Sequence, residues 1–395
     1  MAEWDRLQIY SLSRSRDASN PFLYRRATGA PRSLPPVSDI AANDPAADLP
    51  PAQAGAAAWY GPDLARQGSR WVVELDPAEI AEVDAAARRL AAAGADIAAM
   101  EREDFPLPRL APRLAGVLAE VLDGRGFAVL RGLPVDRWTM REAATAFFGI
   151  GTHLGRARSQ NARGHVLGHV RDLGLRSDDP SVRIYQTSER QTYHTDSCDV
   201  VALLCLRTAR AGGLSTLVSS STIFNEMRRR RPDLLRLLMQ PIATDRRGEV
   251  PAGGKPFFLI PVFSWHQGHL TAIYQRQYVD SAQRFADAPR LTPAHVDALD
   301  LFDALANDPA LNLHMEFRPG DVQLVHNHTL LHDRTAFDDW PDPDRRRHLL
   351  RLWLACPGAR PLPDVFADRY GSVAIGDRGG VVVPGMRLNA PLEAV

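Results

Sequence analysis

Residues 193–196 read YHTD, and residues 319–337 read PGDVQLVHNHTLLHDRTAF. In an extended chain, side chains two positions apart point to the same side and lie roughly 6.6 Å apart. His194 and Asp196 can therefore reach one ion, while Thr195 faces away. An imidazole beside a carboxylate suits a divalent first-row metal. A lone His-x-Asp is a weak signal, and its alternative interpretation is a buried histidine beside a turn aspartate, so a third ligand is required.

The stretch 319–337 offers that third ligand, because it contains three histidines: His326, His328 and His332. Two histidines and one carboxylate form the facial triad of non-haem Fe(II) oxygenases, which leaves coordination positions open. We select His332. The other two are then ordinary strand-surface or core histidines.

A third stretch, residues 347–354, reads RHLLRLWL. As a strand it places Arg347, Leu349, Arg351 and Trp353 on one face, and the remaining leucines on a face that is predicted to meet the core. The two arginines then stand roughly 13 Å apart. Inside a barrel they would be costly to bury unless anions pair with them, whereas on an exposed face water would solvate them. The nearby histidines favour the buried arrangement.

Short strand-like runs separated by turn signals dominate the chain after about residue 182. The runs are RIYQTSE, VVALLCLRTA, STLVSS, FFLIPVFSW, HLTAIY, VQLVHNHTLL and HLLRLWLA. Helices are predicted over residues 222–239 and 293–306 among them, and over residues 77–93 and 110–122 before them. This pattern predicts an α+β, mainly β protein with a jelly-roll or β-sandwich core and flanking helices.

The first hundred residues differ from the rest of the chain. Residues 31–62 are rich in alanine, proline and aspartate, which favours extended or irregular chain. We expect them to form an arm over the main body. The chain is therefore divided into an N-terminal arm and helical extension, residues 1–100, and a main domain, residues 101–395.

The composition indicates an ordered globular protein. Of 395 residues, 45% are hydrophobic and 24% are charged, and Lys+Arg 47 balance Asp+Glu 47, which argues against nucleic acid as a partner. Three cysteines without CxxC spacing exclude a zinc finger and favour a reduced compartment. The sequence shows no signal-peptide pattern and no apolar run of membrane-spanning length. We therefore expect a cytoplasmic protein without a membrane partner, and the sequence allows a homo-oligomer.

These stretches, with AGGLSTLVSS at residues 211–220, stand in the order found in the TauD/TfdA family of Fe(II)- and 2-oxoglutarate-dependent dioxygenases, which the chain resembles over roughly residues 110–358. The resemblance implies a double-stranded β-helix, a distorted jelly roll. It also implies that His194, Asp196 and His332 are the iron ligands.

The same resemblance implies a cosubstrate site in which Arg347 binds the distal carboxylate of 2-oxoglutarate. A hydroxyl at the family's Gly-Gly-x-Thr position assists it. That position reads Gly-Gly-Leu-Ser-Thr here, so Ser215 matches by register and Thr216 by residue type. Both residues stay candidates.

The reaction that the resemblance implies uses Fe(II), 2-oxoglutarate and O2 to hydroxylate or desaturate a small organic acid, with release of succinate and CO2. Arg351 matches the family arginine that meets an anionic group of the substrate. Its alternative role is a structural ion pair with a nearby Asp or Glu. Two other classes stay open, a cupin-like metal-dependent hydrolase or isomerase and a non-catalytic jelly-roll protein that binds small molecules.

Several other residues are weaker candidates. Five could line the substrate pocket, with a structural role as the favoured interpretation: Gln160, Asn161, His165, His169 and Gln186. Arg276 and Tyr278 are predicted to alternate on a strand and to face either the pocket or solvent. Cys198 is expected to be a small buried residue.

Overall fold

The computed structural model describes residues 45–67, 70–176, 182–251, 253–383 and 385–394. Residues Pro45–Val395 form one compact unit, and residues 31–44 of the predicted arm lie outside the described residues. None of the described helices combines the length and apolar character needed to cross a membrane.

The helices in the described residues are short to medium in length. They are α1 (Gly61–Arg66), α2 (Pro77–Ala92), α3 (Leu110–Asp123), α4 (Met140–Thr152), α5 (Ser220–Arg230), α6 (Pro232–Leu238), α7 (Arg276–Ala282), α8 (Pro293–Ala306) and α9 (Ala367–Tyr370).

The strands are also short. They are β1 (Val72–Glu74), β2 (Phe127–Arg131), β3 (Arg156–Arg158), β4 (Gly168–Val170), β5 (Gln191–His194), β6 (Val200–Arg207), β7 (Ala211–Gly212), β8 (Ser215–Ser219), β9 (Ile242–Asp245), β10 (Phe257–Ile260), β11 (Phe263–His266), β12 (His269–Ala272), β13 (Leu313–Met315), β14 (Val322–His326), β15 (Leu330–Arg334), β16 (Phe337–Asp338) and β17 (His348–Ala355).

Two sheets form the centre of the fold. The larger has the order β1-β2-β14-β6-β17-β3, with β4 also paired to β17, and the smaller has the order β13-β8-β15-β5. Side chains from both sheets, among them Phe127, Leu217 and Trp353, share one apolar cluster. The chain crosses from the larger sheet to the smaller one between β14 and β15. The predicted jelly-roll core with flanking helices is confirmed.

Alternation along the strands separates the inside of this core from its outside. Leu350, Leu352 and Leu354 of β17 pack in the large cluster with residues of α2, α3 and α4, as the sequence predicted. On the smaller sheet, helices α5, α6 and α8 cover the outer face through side chains such as Phe224 and Phe302. The inner faces of the two sheets carry the apolar cluster that the sheets share and residues that line the cavities.

Helix starts follow their local sequence. Asp76 accepts hydrogen bonds from the backbone N–H groups of Ala78 and Glu79, and the Glu79 side chain accepts from Asp76 N–H. This capping box, with Pro77 in the first turn, begins α2 where the sequence predicted a helix. The helices predicted over residues 110–122 and 293–306 are confirmed as α3 and α8.

Five predicted elements differ from the structure, and two of them are the runs FFLIPVFSW and VQLVHNHTLL, which each form two strands. The helix expected over residues 222–239 is two helices, because Pro232 has no N–H to donate and disfavours helical backbone at Arg231. The RIYQTSE run forms a 3-10 turn, Ile184–Gln186, instead of a strand. Arg276 and Tyr278 lie on helix α7 and do not alternate on a strand.

The described part of the arm, from residue 45 to residue 62, lies against α5. The side chain of Asn225 accepts from Gln53 N–H at 2.7 Å and donates to the Gln53 carbonyl oxygen at 2.8 Å. Trp59 packs edge-on against Phe127, with 5.8 Å between ring centroids. The domain boundary at residue 100 stays a prediction.

Candidate active site

Three side chains of metal-ligating type meet between the two sheets. His194 ends β5, Asp196 follows two residues later, and His332 of β15 stands directly opposite His194. One ligand atom of each lies within 4.8 Å of the other two. His194 Nε2 is 3.9 Å from Asp196 Oδ1, and His332 Nε2 is 3.7 Å from Asp196 Oδ2. Two imidazoles and a carboxylate at this spacing can hold one divalent ion.

Neighbouring groups orient this cluster. His194 Nδ1 lies 2.8 Å from the Thr192 carbonyl oxygen, so the ring donates there and directs its Nε2 lone pair inward. Trp353 Nε1 donates to Asp196 Oδ2 at 2.8 Å. The Gln191 amide nitrogen lies 2.9 Å from His194 Nε2 and must turn aside when that nitrogen binds a metal.

The protonation states in the cluster also suit a metal. Burial lowers the pKa of His332 to about 3, so its ring stays neutral, as a ligand must. Burial pushes the pKa of the Asp196 carboxyl upward, but the nearby Arg351 guanidinium and the hydrogen bond from Trp353 favour the anion, and this pKa lies below its ordinary value. Asp196 is therefore an anion.

The other two candidate histidines have different neighbours. His328 Nε2 is 2.9 Å from Asp199 Oδ1, and Arg378 Nε donates to the same oxygen at 2.8 Å. These three side chains are fully buried and form a charged network. The His326 ring packs edge-on against His328. Among the described residues, His332 is the one of the three histidines that joins the metal-ligand cluster.

Arg347 lines a narrow cavity that His194 and His332 also line. Its guanidinium is buried, its Nη1 has no hydrogen-bond partner among the described residues, and burial lowers its pKa to about 10. Gly213 makes room for it, since a Cβ there would lie 3.0 Å from Arg347 Nε, and its φ of +68° also favours glycine. A buried cation with an unused donor fits a carboxylate ligand.

Ser215 also lines this narrow cavity, whereas Thr216 is not among the residues that line it. Successive side chains of a strand point to opposite faces, so Ser215 and Thr216 of β8 lie on different sides of the sheet. Arg334 lines the cavity as well, and burial and the nearby Arg347 lower its pKa to about 9. Arg334 was missed in the sequence, although its position two residues after His332 on a strand places both on one face.

Arg351 is held between the metal-ligand cluster and Gln160. Its Nη1 lies 3.7 Å from Asp196 Oδ2, and its guanidinium carbon lies 4.7 Å from the centre of the Tyr185 ring. Its Nε donates to Gln160 Oε1 at 2.7 Å. The carboxylate nearest to Arg351 is thus a metal-ligand candidate itself, so the ion pair and an anion-binding role do not exclude each other.

A larger cavity, of about 720 Å³, adjoins the narrow one and is of a size that suits a small molecule. It shares Gln191, His194 and Arg351 with the narrow cavity. The metal-ligand cluster therefore stands where the two cavities meet.

The weaker candidates divide between this cavity and the scaffold. Four of them line the cavity: Gln160, Asn161, Gln186 and Tyr278. His169 Nδ1 lies 2.8 Å from His348 Nε2 and is a scaffold residue, as expected. Arg276 pairs with carboxylates such as Asp303. Cys198 is fully buried, as expected.

The fold and the site together define a class: a jelly-roll protein whose two histidines and one carboxylate suit a non-haem iron oxygenase. The family model described as "Taurine catabolism dioxygenase TauD, TfdA family" matches residues 87–353. The chain belongs to this family, as its motifs predicted. It is an Fe(II)- and 2-oxoglutarate-dependent dioxygenase that uses Fe(II), 2-oxoglutarate and O2.

Individual proteins are similar over most of the chain. FR-33289 synthase of Streptomyces rubellomurinus is 34% identical over 313 residues, which cover 78% of this chain and 91% of the synthase. Taurine hydroxylase-like protein SAT17 of Stachybotrys chartarum is 31% identical over 307 residues, which cover 75% of this chain and 77% of SAT17. The structure of asparagine oxygenase with Fe(II), 2S,3S-3-hydroxyasparagine and succinate has the same fold, with a TM-score of 0.58 and 19% identity. The match covers 72% of this chain and 93% of the asparagine oxygenase chain.

Proposed function

We propose that this dioxygenase hydroxylates or desaturates a small anionic molecule bound in the larger cavity. His194, Asp196 and His332 hold Fe(II), Arg347 and Ser215 bind the distal carboxylate of 2-oxoglutarate, and Arg351 binds an anionic group of the substrate. One observation carries the proposal. The metal-ligand cluster stands where two cavities meet, and each cavity contains a buried arginine.

The chain's own residues supply binding and orientation. His194, Asp196 and His332 would hold the iron, which would supply the O2-dependent chemistry that oxidises the substrate and converts 2-oxoglutarate into succinate and CO2. Arg347 is buried and pairs with the carboxylate that is remote from the reaction, which fixes the cosubstrate along the narrow cavity. Arg351 fixes the substrate beside the cluster, and this positioning lowers the entropic cost of the reaction.

An anionic substrate is supported by the buried Arg351, which lines the larger cavity as well as the narrow one. It is also supported by the name of the relative SAT17, which likens that protein to an enzyme of taurine, a sulfonate. The hydrolase or isomerase alternative gives no role to the buried Arg347. A cytoplasmic location and a homo-oligomer stay predictions.

The test is a screen of small carboxylates, sulfonates and phosphate esters with the iron-loaded protein, 2-oxoglutarate, ascorbate and O2. A true substrate stimulates succinate release and yields a product that has gained one oxygen atom or lost two hydrogen atoms. An Arg351→Gln variant serves as the control, since it should lose the stimulation and keep 2-oxoglutarate binding. Turnover without O2 and 2-oxoglutarate would identify a hydrolase or isomerase instead.

A further inference from the structure

The larger cavity contains a second group of cations besides Arg351. This group, the distal arginine cluster, comprises Arg183, Arg247 and Arg369, which line the cavity together with Glu249 and Tyr278. We propose that the distal arginine cluster is a second anion subsite and that it takes a phosphate-type group at the far end of an elongated substrate. The inference rests on the proposed function, because it takes this cavity as the substrate site.

Contacts tie the distal arginine cluster together around one carboxylate. Arg183 Nη2 donates to Glu249 Oε1 at 2.9 Å, and Arg183 Nη1 donates to the Tyr278 hydroxyl oxygen at 3.1 Å. Arg369 Nη1 lies 3.9 Å from Glu249 Oε2. The Arg247 guanidinium lies over the Tyr278 ring, 5.6 Å from its centre. Glu249 therefore contacts two of the three arginines, Arg183 and Arg369.

The charge of the cavity wall also supports an anion subsite. Among the described residues that line it, five are arginines and two are carboxylates, Asp196 and Glu249. Asp196 belongs to the metal-ligand cluster. The side chains of Arg183 and Arg369 are only 22% and 12% exposed, so water screens their excess positive charge incompletely. Such a wall attracts an anionic group.

The donor set favours a tetrahedral oxyanion over a carboxylate. Arg183 and Arg369 bring two guanidinium groups to one place, and guanidinium groups pair with phosphate through several N–H donors, since a phosphate presents three oxygens where a carboxylate presents two. Tyr278 adds another donor, because its oxygen accepts from Arg183 and its own hydrogen stays available. Arg351 has different neighbours, Gln160 and Asp196, so the two subsites can bind two separate groups.

Calorimetric titration of the full-length, anaerobic Fe(II)- and 2-oxoglutarate-bound protein with inorganic phosphate tests the proposal. The wild-type chain should bind two phosphate ions. Arg351→Gln should retain the ion at the distal arginine cluster. Arg369→Gln should retain the ion at Arg351 and weaken the other by about tenfold or more, as expected for loss of a charge-assisted hydrogen bond. Arg183→Gln should act like Arg369→Gln, and unchanged melting temperatures establish that the variants are folded.

Glu249→Gln separates anion binding from a structural ion pair. Removing the competing carboxylate should tighten phosphate binding at the distal arginine cluster, whereas a purely structural pair would make this variant as harmful as Arg183→Gln. A single bound phosphate that is lost only in Arg351→Gln overturns the proposal, and acetate binding as tight as phosphate binding overturns the choice of a phosphate-type group. The titration needs no turnover, so failure of the proposed reaction would appear separately, in the succinate assay.

Discussion

Gln160 contacts Arg351 through both polar atoms of its amide group. Its Oε1 accepts from Arg351 Nε at 2.7 Å, and its Nε2 donates to the Arg351 carbonyl oxygen at 2.8 Å. Both side chains are buried. These bonds fix the arginine that we propose for the substrate anion, so Gln160 is a positioning residue for that arginine.

Replacing Gln160 should therefore weaken substrate binding through Arg351. We expect Gln160→Leu to raise the KM for substrate about tenfold or more, because a buried hydrogen bond to a charged group is lost, and to leave the KM for 2-oxoglutarate unchanged. Gln160→Glu, which keeps an acceptor for Arg351 Nε, should be milder. In a double-mutant cycle, the effects of Gln160→Leu and Arg351→Gln should not add. Additive effects would show that the two residues act independently.

The metal-ligand cluster predicts which histidines are needed for iron binding and which are not. Alanine at His194, Asp196 or His332 should abolish succinate formation and lower the iron content of the purified protein, because each removes one of three ligand atoms. His326→Gln is the matched control and should keep its iron. An iron-free His326→Gln that is folded, with a His332→Ala that binds iron normally, would assign the third ligand to His326.

Arg347 predicts how the cosubstrate stabilises the protein. Arg347→Ala should raise the KM for 2-oxoglutarate roughly 10- to 100-fold, because the distal carboxylate loses a charge-assisted partner. Lysine should restore part of the affinity. At about 100 times its Kd, 2-oxoglutarate should stabilise the wild-type protein by about 2.7 kcal/mol, seen as a higher melting temperature. If the same 2-oxoglutarate concentration raised the melting temperature of Arg347→Ala by as much as that of the wild-type protein, the distal carboxylate would bind elsewhere. Arg334 and Arg345 would then be the next residues to replace.

Ser215 and Thr216 can be separated by matched substitutions. Ser215 lines the narrow cavity with Arg347, so Ser215→Ala should raise the KM for 2-oxoglutarate about tenfold or more, the range of a hydrogen bond to a charged group. Thr216→Val should leave this KM unchanged. The reverse result would show that residue type, and not register, identifies the family's hydroxyl position in this chain.

Buried neutral histidines make the stability depend on pH. Burial lowers the pKa of His348 to about 3 and also lowers the pKa values of His169 and His326. Unfolded histidines titrate near pH 6.5, so between that pH and the folded pKa the unfolded chain binds protons that the folded chain does not. Stability should be complete above about pH 6.5 and should fall on acidification by about 1.4 kcal/mol per pH unit for each such histidine.

Denaturant unfolding at several pH values from about 8 down to about 5 measures this dependence. His348→Gln should reduce the slope of unfolding free energy against pH by the contribution of one histidine, about 1.4 kcal/mol per pH unit. This holds whether or not the substitution changes the absolute stability. Stability that stays constant over this range would contradict the neutral state assigned to these side chains.

The parts of the site that follow from local sequence were predicted, and the parts that depend on distant chain segments were not. His194 and Asp196 share a side because they are two residues apart, and Arg347 and Arg351 follow the same rule around β17. The contact between Gln160 and Arg351 joins residues 191 positions apart, so no local pattern reveals it. The same holds for Arg183 and Arg369, which reach one cavity from distant elements.

The errors in secondary structure have a similar origin. Helix α7 spans only seven residues, with Val279 and Ala282 as its buried positions, so it offers too few turns for a helical period to stand out from strand-forming residues such as tyrosine and valine. Long helices with clear caps, such as α2 and α8, were predicted well because several local signals agree.

The buried network of Asp199, His328 and Arg378 affects when this protein can finish folding during synthesis. Asp199 and His328 belong to the part of the chain that the family model matches, but Arg378 lies 25 residues past its end at residue 353. Until that arginine has left the ribosome, the fully buried Asp199 carboxylate, three residues after Asp196, lacks its arginine partner. Completion of the metal-ligand cluster is therefore expected to follow the synthesis of Arg378, and a fragment cut at the family boundary should misfold at this point first.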